Sequence, residues 1–164
     1  MAVEIERKYL LDGPPPPDVL ATASSYAIEQ TYLTAENGSR RVRRRSGPDG
    51  VRHWLTEKRA LGGISREELE REIDEAEYRR LLGEADPQSG TVLKTRHVLE
   101  HGHQTLEVDV FAAPPGLVLL EVELASEDEA VELPAWAAGA RDVSDDPAYA
   151  NASLARALGP DAGR

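Results

Sequence analysis

The first segment of the chain carries charged side chains at every second position. Glu4, Glu6 and Lys8 alternate with Ile5 and Arg7. Because a β-strand sends successive side chains to opposite faces, the two carboxylates and the ammonium share one face. Carboxylate oxygens bind hard divalent cations such as Mg²⁺ and Mn²⁺, and ammonium and guanidinium groups bind phosphate oxygens. One face of this strand therefore holds groups that could bind a metal ion and a phosphate.

The same alternation recurs in six later segments. The later rows are Arg41, Arg43 and Arg45; Thr56 and Lys58; Glu68, Glu70 and Glu72; Lys94 and Arg96; Glu107 and Asp109; and Glu121 and Glu123. Any single row is typical of a solvated strand face, where a cross-strand ion pair contributes roughly 0.2–1 kcal/mol. The number of rows, and their segregation by charge, favours one shared site over many separate surface pairs.

The apolar residues between the charged rows decide which face is covered. Only a few short helices are predicted to cover them, and in a barrel those helices would pack outside and leave the charges in the lumen. A dry lumen full of charge would be very costly. A wet lumen that holds metal ions and a polyanion is electrostatically reasonable. The rows together therefore indicate a metal–polyphosphate site.

The composition excludes several classes of protein. The chain has 164 residues, no cysteine and a formal net charge of −11. Disulfides and thiolate metal sites are therefore excluded, and nucleic acid and anionic membranes are not expected partners. The arginine-rich run at 40–45 resembles a nucleic-acid patch in isolation, but the acidic whole opposes that interpretation. No apolar run reaches the length of a membrane span or a signal peptide, which predicts a cytoplasmic protein.

Turn signals divide the chain into short strands and few helices. Strands are predicted over 2–11, 26–34, 39–46, 51–59, 64–73, 90–99, 104–111 and 117–125. Helices are predicted over 18–25, from an N-cap at Asp74 to about Leu82, and from Asp146 to about Leu158. The near-regular spacing predicts a mainly β (α+β) fold with a closed or strongly curved antiparallel sheet. We expect one domain over residues 1–158 and a frayed tail over 159–164.

Several motifs, taken in order, resemble the CYTH superfamily, the triphosphate tunnel metalloenzymes. The matching motifs are Glu4-Ile5-Glu6-Arg7-Lys8, Gln30-Thr31-Tyr32-Leu33, Arg41-Val42-Arg43, Leu55-Thr56-Glu57-Lys58, Glu68-Leu69-Glu70-Arg71-Glu72-Ile73, Lys94-Thr95-Arg96, Glu107-Val108-Asp109-Val110-Phe111 and Glu121-Val122-Glu123-Leu124. The closing segment, 142–151, resembles the family's Glu-Val-Thr…Tyr-x-Asn pattern but has Ala148 where the family often carries arginine. The resemblance spans residues 3 to about 155, and it is closest to the short, bacterial-type inorganic triphosphatases.

The resemblance implies an eight-stranded antiparallel β-tunnel with a charged lumen, a few helices outside, and two bound Mg²⁺ or Mn²⁺ ions. It implies metal ligands at Glu4, Glu6, Glu121 and Glu123, with Glu70, Glu72 and Asp109 as further ligands or supporting groups. It implies phosphate contacts from Lys8, Arg41, Arg43, Lys58, Lys94 and Arg96. Glu4, Glu6 and Lys8 would carry the catalysis, with Lys8 directed at the leaving phosphate.

The substrate remains open at this stage. The first hypothesis is hydrolysis of inorganic tripolyphosphate to pyrophosphate and phosphate, because the predicted cavity of point charges suits a small linear polyanion. The resemblance also allows a thiamine or nucleoside triphosphatase or a class IV adenylate cyclase. A non-catalytic polyphosphate- or nucleotide-binding module is the alternative from another class. The expected partner is a small-molecule triphosphate, and the chain could be a monomer or a homodimer.

Overall fold

Nine β-strands and a few short helices make up residues 2–160, which are the residues that the computed structural model describes. The strands are β1 (Ala2–Leu10), β2 (Ser24–Tyr32), β3 (Ser39–Gly47), β4 (Gly50–Gly62), β5 (Ser65–Ile73), β6 (Val92–His101), β7 (Gln104–Ala113), β8 (Val118–Glu123) and β9 (Arg141–Asp142). The helices are α1 (Pro17–Leu20), α2 (Glu75–Leu82) and α3 (Asn151–Leu158), with 3₁₀ turns at Ala135–Ala137 and Pro147–Tyr149.

The strands form a closed antiparallel barrel. Their order is β5-β4-β3-β2-β6-β7-β8-β1, and β5 pairs with β1 to close the ring. The two-residue strand β9 adds to the end of β1, where Tyr9 and Leu10 lie opposite Asp142 and Arg141. The predicted eight-stranded antiparallel barrel is thus confirmed, and β9 is an addition that the sequence pattern did not show.

Tight turns set the register of the hairpins. Gly50 and Gly102 have positive φ angles of 89° and 62° at the β3–β4 and β6–β7 turns. A side chain is strained in that region of φ, so glycine is the natural residue there. The β3–β4 register is regular from Gly47↔Gly50 to Ser39↔Lys58. This regularity keeps each charged row on one face along the whole strand.

Apolar side chains cover the outer face of the barrel in two clusters. One contains Leu106, Val108, Leu120 and Val122, packed against Leu133, Trp136 and other residues of the irregular 125–140 segment. The other lies on β3 and β4 and contains Val42, Leu55 and Ile73 packed against Tyr78 and Leu81 of α2. The Asp74 carboxylate accepts a hydrogen bond from the Glu77 backbone amide at 2.8 Å and caps α2, as predicted. The apolar face is therefore outside, and the charged face lines the lumen.

A third apolar cluster fills part of one end of the lumen. Tyr32 ends β2, Val92 begins β6, and Phe111 and Leu119 lie near the adjoining ends of β7 and β8. These four side chains pack with Leu154 and Ala155 of α3. The Gly90 amide donates to the carbonyl of Ala155 at 2.8 Å. α3 therefore covers this end of the barrel on the side of β2, β6, β7 and β8.

Several element boundaries differ from those predicted, most of them by about two residues, and three differences are larger. The first helix is a single turn, Pro17–Leu20, because β2 already begins at Ser24 and pairs with Val98. β4 extends to Gly62, since its partner β5 is long enough to pair with the extension. The last helical segment is split into a 3₁₀ turn and α3, with Ala150 in an extended conformation between them. Of the predicted tail, residues 161–164 lie outside the described residues.

None of the helices within residues 2–160 is long and apolar enough to cross a membrane.

Candidate active site in a charged tunnel

The strand registers place the charged rows side by side in the lumen. On neighbouring antiparallel strands, directly opposed residues point to the same face of the sheet. Tyr32 lies opposite Arg41, Arg41 opposite Thr56, and Thr56 opposite Glu70. Lys8 lies opposite Glu121. The alternation read from the sequence therefore continues around the barrel as a ring of polar side chains.

Three carboxylates from β1 and β8 form what we call the acidic group: Glu4, Glu6 and Glu121. Burial raises the pKa of Glu6 to about 8, and the negative charges of Glu121 and Glu4 add to that rise. A pKa raised this far shows that Glu6 is not matched by nearby positive charge. Within the acidic group, Glu6 is therefore the carboxyl whose negative charge the protein does not offset.

Two lysines contact the acidic group without neutralising it fully. The Lys58 ammonium lies 2.8 Å from Glu4 Oε1 and 3.4 Å from Glu68 Oε2. Burial pushes the pKa of Glu4 upward, but Lys58 outweighs burial and the pKa of Glu4 is lowered overall. The Lys8 ammonium lies 3.5 Å from Glu121 Oε1, which is buried and has no hydrogen-bond partner among the described residues. Burial pushes the pKa of Glu121 upward, but Lys8 and Arg96 outweigh burial and lower it overall, while Oε1 keeps room for a further ligand.

A different arrangement holds Lys94, Asp109 and Arg96, which we call the buried ion network. The side chains of Lys94 and Asp109 are 0% exposed, and the Lys94 ammonium donates to Asp109 Oδ2 at 2.7 Å. Arg96 donates from Nε to Asp109 Oδ1 at 2.8 Å and from a terminal nitrogen to Oδ2 at 2.9 Å. Burial favours a neutral carboxyl, but the two cations outweigh it and hold the pKa of Asp109 well below its usual range. Both oxygens of Asp109 are therefore occupied by protein donors.

Two cations of that network also reach other parts of the lumen. Lys94 donates to Asn151 Oδ1 at 3.2 Å, and burial lowers the pKa of Lys94 to about 8 despite the nearby Asp109. Arg96 donates to Glu107 Oε2 at 2.9 Å and lies 3.5 Å from Glu121 Oε2. The network thereby links β6, β7 and β8 to the first turn of α3.

Arg41 and Arg43 on β3 form what we call the arginine pair. The Nε atoms of both are buried and lack hydrogen-bond partners among the described residues. Arg43 has one carboxylate nearby, Glu70 at 3.9 Å, and burial together with the charges of Arg41 and Arg96 lowers the pKa of Arg43 to about 10. Both guanidinium groups remain charged at neutral pH and have donors that face no protein acceptor. Such a pair is suited to binding an anion.

A cavity of about 400 Å³ opens beside α3, at the end of the barrel where β1 ends. Its walls include Glu4, Glu6, Lys8, Arg41 and Lys58 of the predicted site. The closing segment forms the opposite wall, with Ser144, Asp146 and Asn151 among its lining residues. The Lys8 ammonium donates to the carbonyl of Tyr149 at 2.9 Å. The structure thus brings Glu4 and Glu6 of the acidic group, Arg41 of the arginine pair and two lysines to one cavity.

Five predicted metal ligands are not among the lining residues of this cavity. Asp109 and Glu121 are buried in the contacts described above, and the other three are Glu70, Glu72 and Glu123. Glu72 is exposed and accepts two hydrogen bonds from Arg52, at 3.0 and 2.6 Å. Glu70 accepts from Thr56 Oγ1 at 2.7 Å and faces Arg43. Glu123 is exposed at the end of β8, directly opposite Glu6. The structure therefore brings Glu123 next to the acidic group but places Glu72 at the far end of the lumen, in an exposed ion pair with Arg52.

The structure also brings in residues that the sequence interpretation left out. Arg66 lines the cavity and lies opposite Glu4 on β1. Its position could have been found, since it shares the alternation of Glu68 and Glu70 on β5. The contribution of the Tyr149 carbonyl had no sequence signal, because any residue supplies a carbonyl.

The donor set fits a divalent cation. Within residues 2–160 no three Asp, Glu or His side chains already converge into a metal cage. Glu121 nevertheless has a buried oxygen without a hydrogen-bond partner, and Glu6 is buried next to two like charges. Carboxylate oxygens with excess negative charge are the ligands that Mg²⁺ and Mn²⁺ prefer. The acidic group is therefore the part of the tunnel best suited to hold a metal ion.

The far part of the lumen is lined by arginines that stack on an aromatic ring. The guanidinium carbons of Arg43, Arg45 and Arg52 lie 5.1, 4.7 and 5.1 Å from the centre of the Trp54 ring. Trp54 lies opposite Arg43 and therefore faces the lumen. His53 points to the outer face, where it contacts Tyr78 with ring centres 4.6 Å apart.

Comparison with known proteins gives a consistent result. A model of the CYTH domain family matches residues 2–157. An inorganic triphosphatase of Nitrosomonas europaea is 35% identical over 160 residues, covering 94% of this chain and 98% of that protein. An inorganic triphosphatase of Acetivibrio thermocellus is 32% identical over 157 residues, covering 95% of each chain. Both relatives match along nearly their full length.

A solved structure agrees with the sequence matches. The crystal structure of the inorganic triphosphatase NE1496 superposes with a TM-score of 0.61 at 31% identity, covering 95% of this chain and 96% of that one. The charged tunnel, the family match and the full-length relatives lead to the same conclusion: the chain belongs to the CYTH domain family.

Proposed function

We propose that this protein hydrolyses inorganic tripolyphosphate to pyrophosphate and phosphate, with the help of divalent metal ions, inside the tunnel. The observation that carries the proposal is that one lumen holds both an acidic group and an arginine pair with unmet capacity for a ligand. The charge of Glu6 is not offset, and Glu121 Oε1 and the Nε atoms of Arg41 and Arg43 have no hydrogen bond among the described residues. A metal ion and a triphosphate together supply the charge that each group lacks. The two full-length relatives named as inorganic triphosphatases support the same substrate.

We assign the metal-binding role to Glu4, Glu6 and Glu121, with Glu123 completing the set from its position opposite Glu6. Two Mg²⁺ or Mn²⁺ ions remain the expected cofactors. A bound divalent ion would polarise phosphoryl oxygens and lower the pKa of a coordinated water. The contacts of Asp109 favour a supporting role, since it holds Lys94 and Arg96 in place. Glu70 likewise supports the lumen through Thr56 and Arg43.

The basic residues of the lumen would hold the phosphates. Arg41 and Arg43 have free donors for phosphoryl oxygens, and Lys8, Lys58, Lys94 and Arg96 surround the remaining lumen. Hydrolysis adds water across one phosphoanhydride bond, and the leaving pyrophosphate takes up negative charge. Lys8 lies between the acidic group and the closing segment, where its ammonium can neutralise that charge. Positioning and charge stabilisation are the main demands of phosphoryl transfer, so no covalent nucleophile is required.

The direct test is a matrix of substrates and metals. Phosphate release would be measured from tripolyphosphate, ATP and thiamine triphosphate with Mg²⁺, Mn²⁺ or EDTA. We expect tripolyphosphate to be cleaved fastest and EDTA to stop turnover. Formation of cyclic AMP and pyrophosphate from ATP would instead indicate a cyclase. Tight tripolyphosphate binding without turnover under every metal would indicate a binding module.

A matched pair of variants tests the site itself. Glu6→Gln removes a carboxylate that would bind the metal ion, and we expect turnover to fall by at least about 100-fold, since metal stabilisation of the transition state supplies several kcal/mol. Glu72→Gln changes the same residue type in an exposed ion pair with Arg52 and should leave turnover within about twofold. Equal activity of the two variants would contradict the assigned site.

A further inference from the structure

Gln30 lies in the lumen beside the arginine pair, and the proposed hydrolysis does not use it. Its side chain is 0% exposed. In the strand registers Gln30 lies opposite Arg43 of β3 and opposite Val92 of β6. Tyr32, two residues further along β2, shares this face and lines the cavity. Gln30 is therefore one residue pair deeper in the tunnel than the arginine nearest the cavity, Arg41.

Neither polar atom of the Gln30 carboxamide has a hydrogen-bond partner within residues 2–160. Nε2 and Oε1 are both buried and make no hydrogen bond with any of the described residues. The neighbouring Nε atoms of Arg41 and Arg43 are also buried and make no hydrogen bond with those residues. Buried polar groups in folded proteins are nearly always hydrogen-bonded, and each exception calls for an explanation. Here the unpaired groups are neighbours, which points to one shared ligand.

A second buried glutamine shows what a purely structural role looks like. Gln104 lies at the start of β7, and its Nε2 donates to Glu129 Oε2 at 2.8 Å and to the Ala130 carbonyl at 2.9 Å. Its Oε1 accepts from the Glu132 amide at 3.2 Å. Gln104 therefore ties the covering 125–140 segment to the barrel with every polar atom used. Gln30 makes no such link.

We propose that Gln30 is a positioning residue that hydrogen-bonds the innermost phosphoryl group of a bound triphosphate, next to Arg43. The inference rests on the proposed function and adds to it a residue that contacts the substrate. The Nε2 group donates to a phosphoryl oxygen together with the free donors of Arg41 and Arg43. The Oε1 atom accepts from a hydroxyl of that phosphoryl group or from a water bound to it. Only a terminal phosphoryl group carries such a proton near neutral pH, since a phosphate keeps its last proton up to a pKa of roughly 6.

The neutral amide also suits its surroundings. A third arginine at this position would add charge to a cluster in which Arg41 and Arg96 already lower the pKa of Arg43. A glutamate would accept from Arg43 and compete with the phosphate. Glutamine contributes a donor without adding repulsion, so it holds the phosphoryl group while leaving the charge of the lumen unchanged.

Gln30→Met and Gln104→Met test the proposal as a matched pair. Methionine keeps the length of the side chain and removes its polar atoms. Gln30→Met should raise the melting temperature of the metal-free protein by about 2 °C or more, because it removes a buried polar group without a partner. Gln104→Met should lower the melting temperature, because it leaves the Glu132 amide without an acceptor. A lower melting temperature of Gln30→Met would overturn the proposal, since it would reveal a structural bond.

Binding and turnover provide the second readout. Calorimetric titration with tripolyphosphate in EDTA should show affinity weakened roughly 10-fold to 100-fold in Gln30→Met, and wild-type affinity in Gln104→Met. Gln30→Glu should weaken binding further. In steady state, kcat/KM of Gln30→Met should fall by a similar factor, while the metal concentration for half-maximal activity stays the same. Unchanged affinity and kcat/KM in Gln30→Met would overturn the proposal.

The wild-type protein separates this proposal from the proposed function. If wild type hydrolyses tripolyphosphate and Gln30→Met behaves identically, the inference about Gln30 fails alone. If wild type neither binds nor hydrolyses tripolyphosphate, both fail together.

Discussion

The buried ion network and the acidic group are both clusters of charge in one lumen, but their charges are satisfied differently. In the network, Asp109 receives three hydrogen bonds from Lys94 and Arg96, and its pKa lies well below the usual range. In the acidic group, Glu6 has a pKa raised to about 8 and Glu121 keeps an oxygen without a hydrogen-bond partner. Asp109 thus compensates two buried cations, whereas Glu6 is the carboxyl whose repulsion a bound metal ion would relieve.

This difference explains how a barrel with a charged lumen can fold. Transferring charges from water is costly, and only good geometry repays that cost. Asp109, whose two oxygens accept hydrogen bonds from Lys94 and Arg96, meets that condition inside the protein. Glu4, Glu6 and Arg41 line the cavity, where water can reach them before a ligand binds. The charges that are paired within the protein and the charges that can meet a ligand therefore lie in different parts of the tunnel.

The largest expected effect on stability comes from breaking the buried ion network. Asp109→Asn leaves Lys94 and Arg96 without their shared negative charge, and we expect the free energy of unfolding to fall by about 3–5 kcal/mol. Equilibrium unfolding in urea measures this fall in the free energy of unfolding. The control is Asp142→Asn, which breaks a partly exposed pair with Arg7 at 3.3 Å and should cost under about 1 kcal/mol. A loss for Asp109→Asn as small as that of the control would contradict the comparison.

A smaller effect is expected at the arginine pair, and there the variant should lose activity without losing stability. Arg43→Met removes an incompletely paired cation, so kcat/KM for tripolyphosphate should fall about 10-fold to 100-fold while the melting temperature is maintained or raised. Arg44→Met is the matched control on the same strand. Arg44 is 40% exposed and lies 3.8 Å from Glu29 on the other face. If both variants lost the same activity, the lumen assignment of β3 would be wrong.

Metal binding should stabilise the acidic group. Because a bound cation relieves the repulsion among Glu4, Glu6 and Glu121, adding Mg²⁺ or Mn²⁺ at about 10 to 100 times its Kd should stabilise the protein by about 1.4–2.7 kcal/mol. Differential scanning fluorimetry against metal concentration measures the rise in melting temperature. The Glu6→Gln variant should show a clearly reduced shift. A full shift in that variant would place the metal elsewhere.

The smallest effect is expected outside the tunnel. Asp74→Ala removes the N-cap of α2, which covers the outer face of β3 and β4, and should cost about 1 kcal/mol of stability. The KM for tripolyphosphate should stay at the wild-type value, since α2 does not line the cavity. A changed KM would show that the outer cover and the lumen are coupled.

The fold was accessible from the sequence because its main signal is local. The positions of Glu4, Arg41 and Lys58 on one face follow from the period of a strand, whichever strands are its neighbours. The capping of α2 by Asp74 was also local and was predicted correctly. The two-residue strand β9 was missed, since so short a segment has no periodicity and pairs with β1 from far along the chain.

The residue types of the candidate site could be predicted from the sequence, but the contacts among their side chains could be predicted less well. The sequence groups Asp109 with the metal ligands because carboxylates in alternating rows look alike. Closure of the barrel sets Asp109 between Lys94 and Arg96, and it sets Glu72 against Arg52. Gln30 carried no charge and so produced no signal among the charged rows. Its lack of partners can be recognised only when every neighbouring donor and acceptor is in place.

The sequence by itself determined that charged rows share strand faces and that apolar rows lie opposite them. Those two facts imply a barrel with its charges inside, because apolar faces must be covered and only short elements were available to cover them. The tertiary structure decided which of those charges neutralise one another. That outcome depends on the register between strands distant in sequence, such as β1 with β8, and on the closing segment that brings Tyr149 and Asn151 to Lys8 and Lys94. Pairing energies fall off within a few ångströms, so only the assembled barrel distinguishes a stabilising charge from one that awaits a ligand.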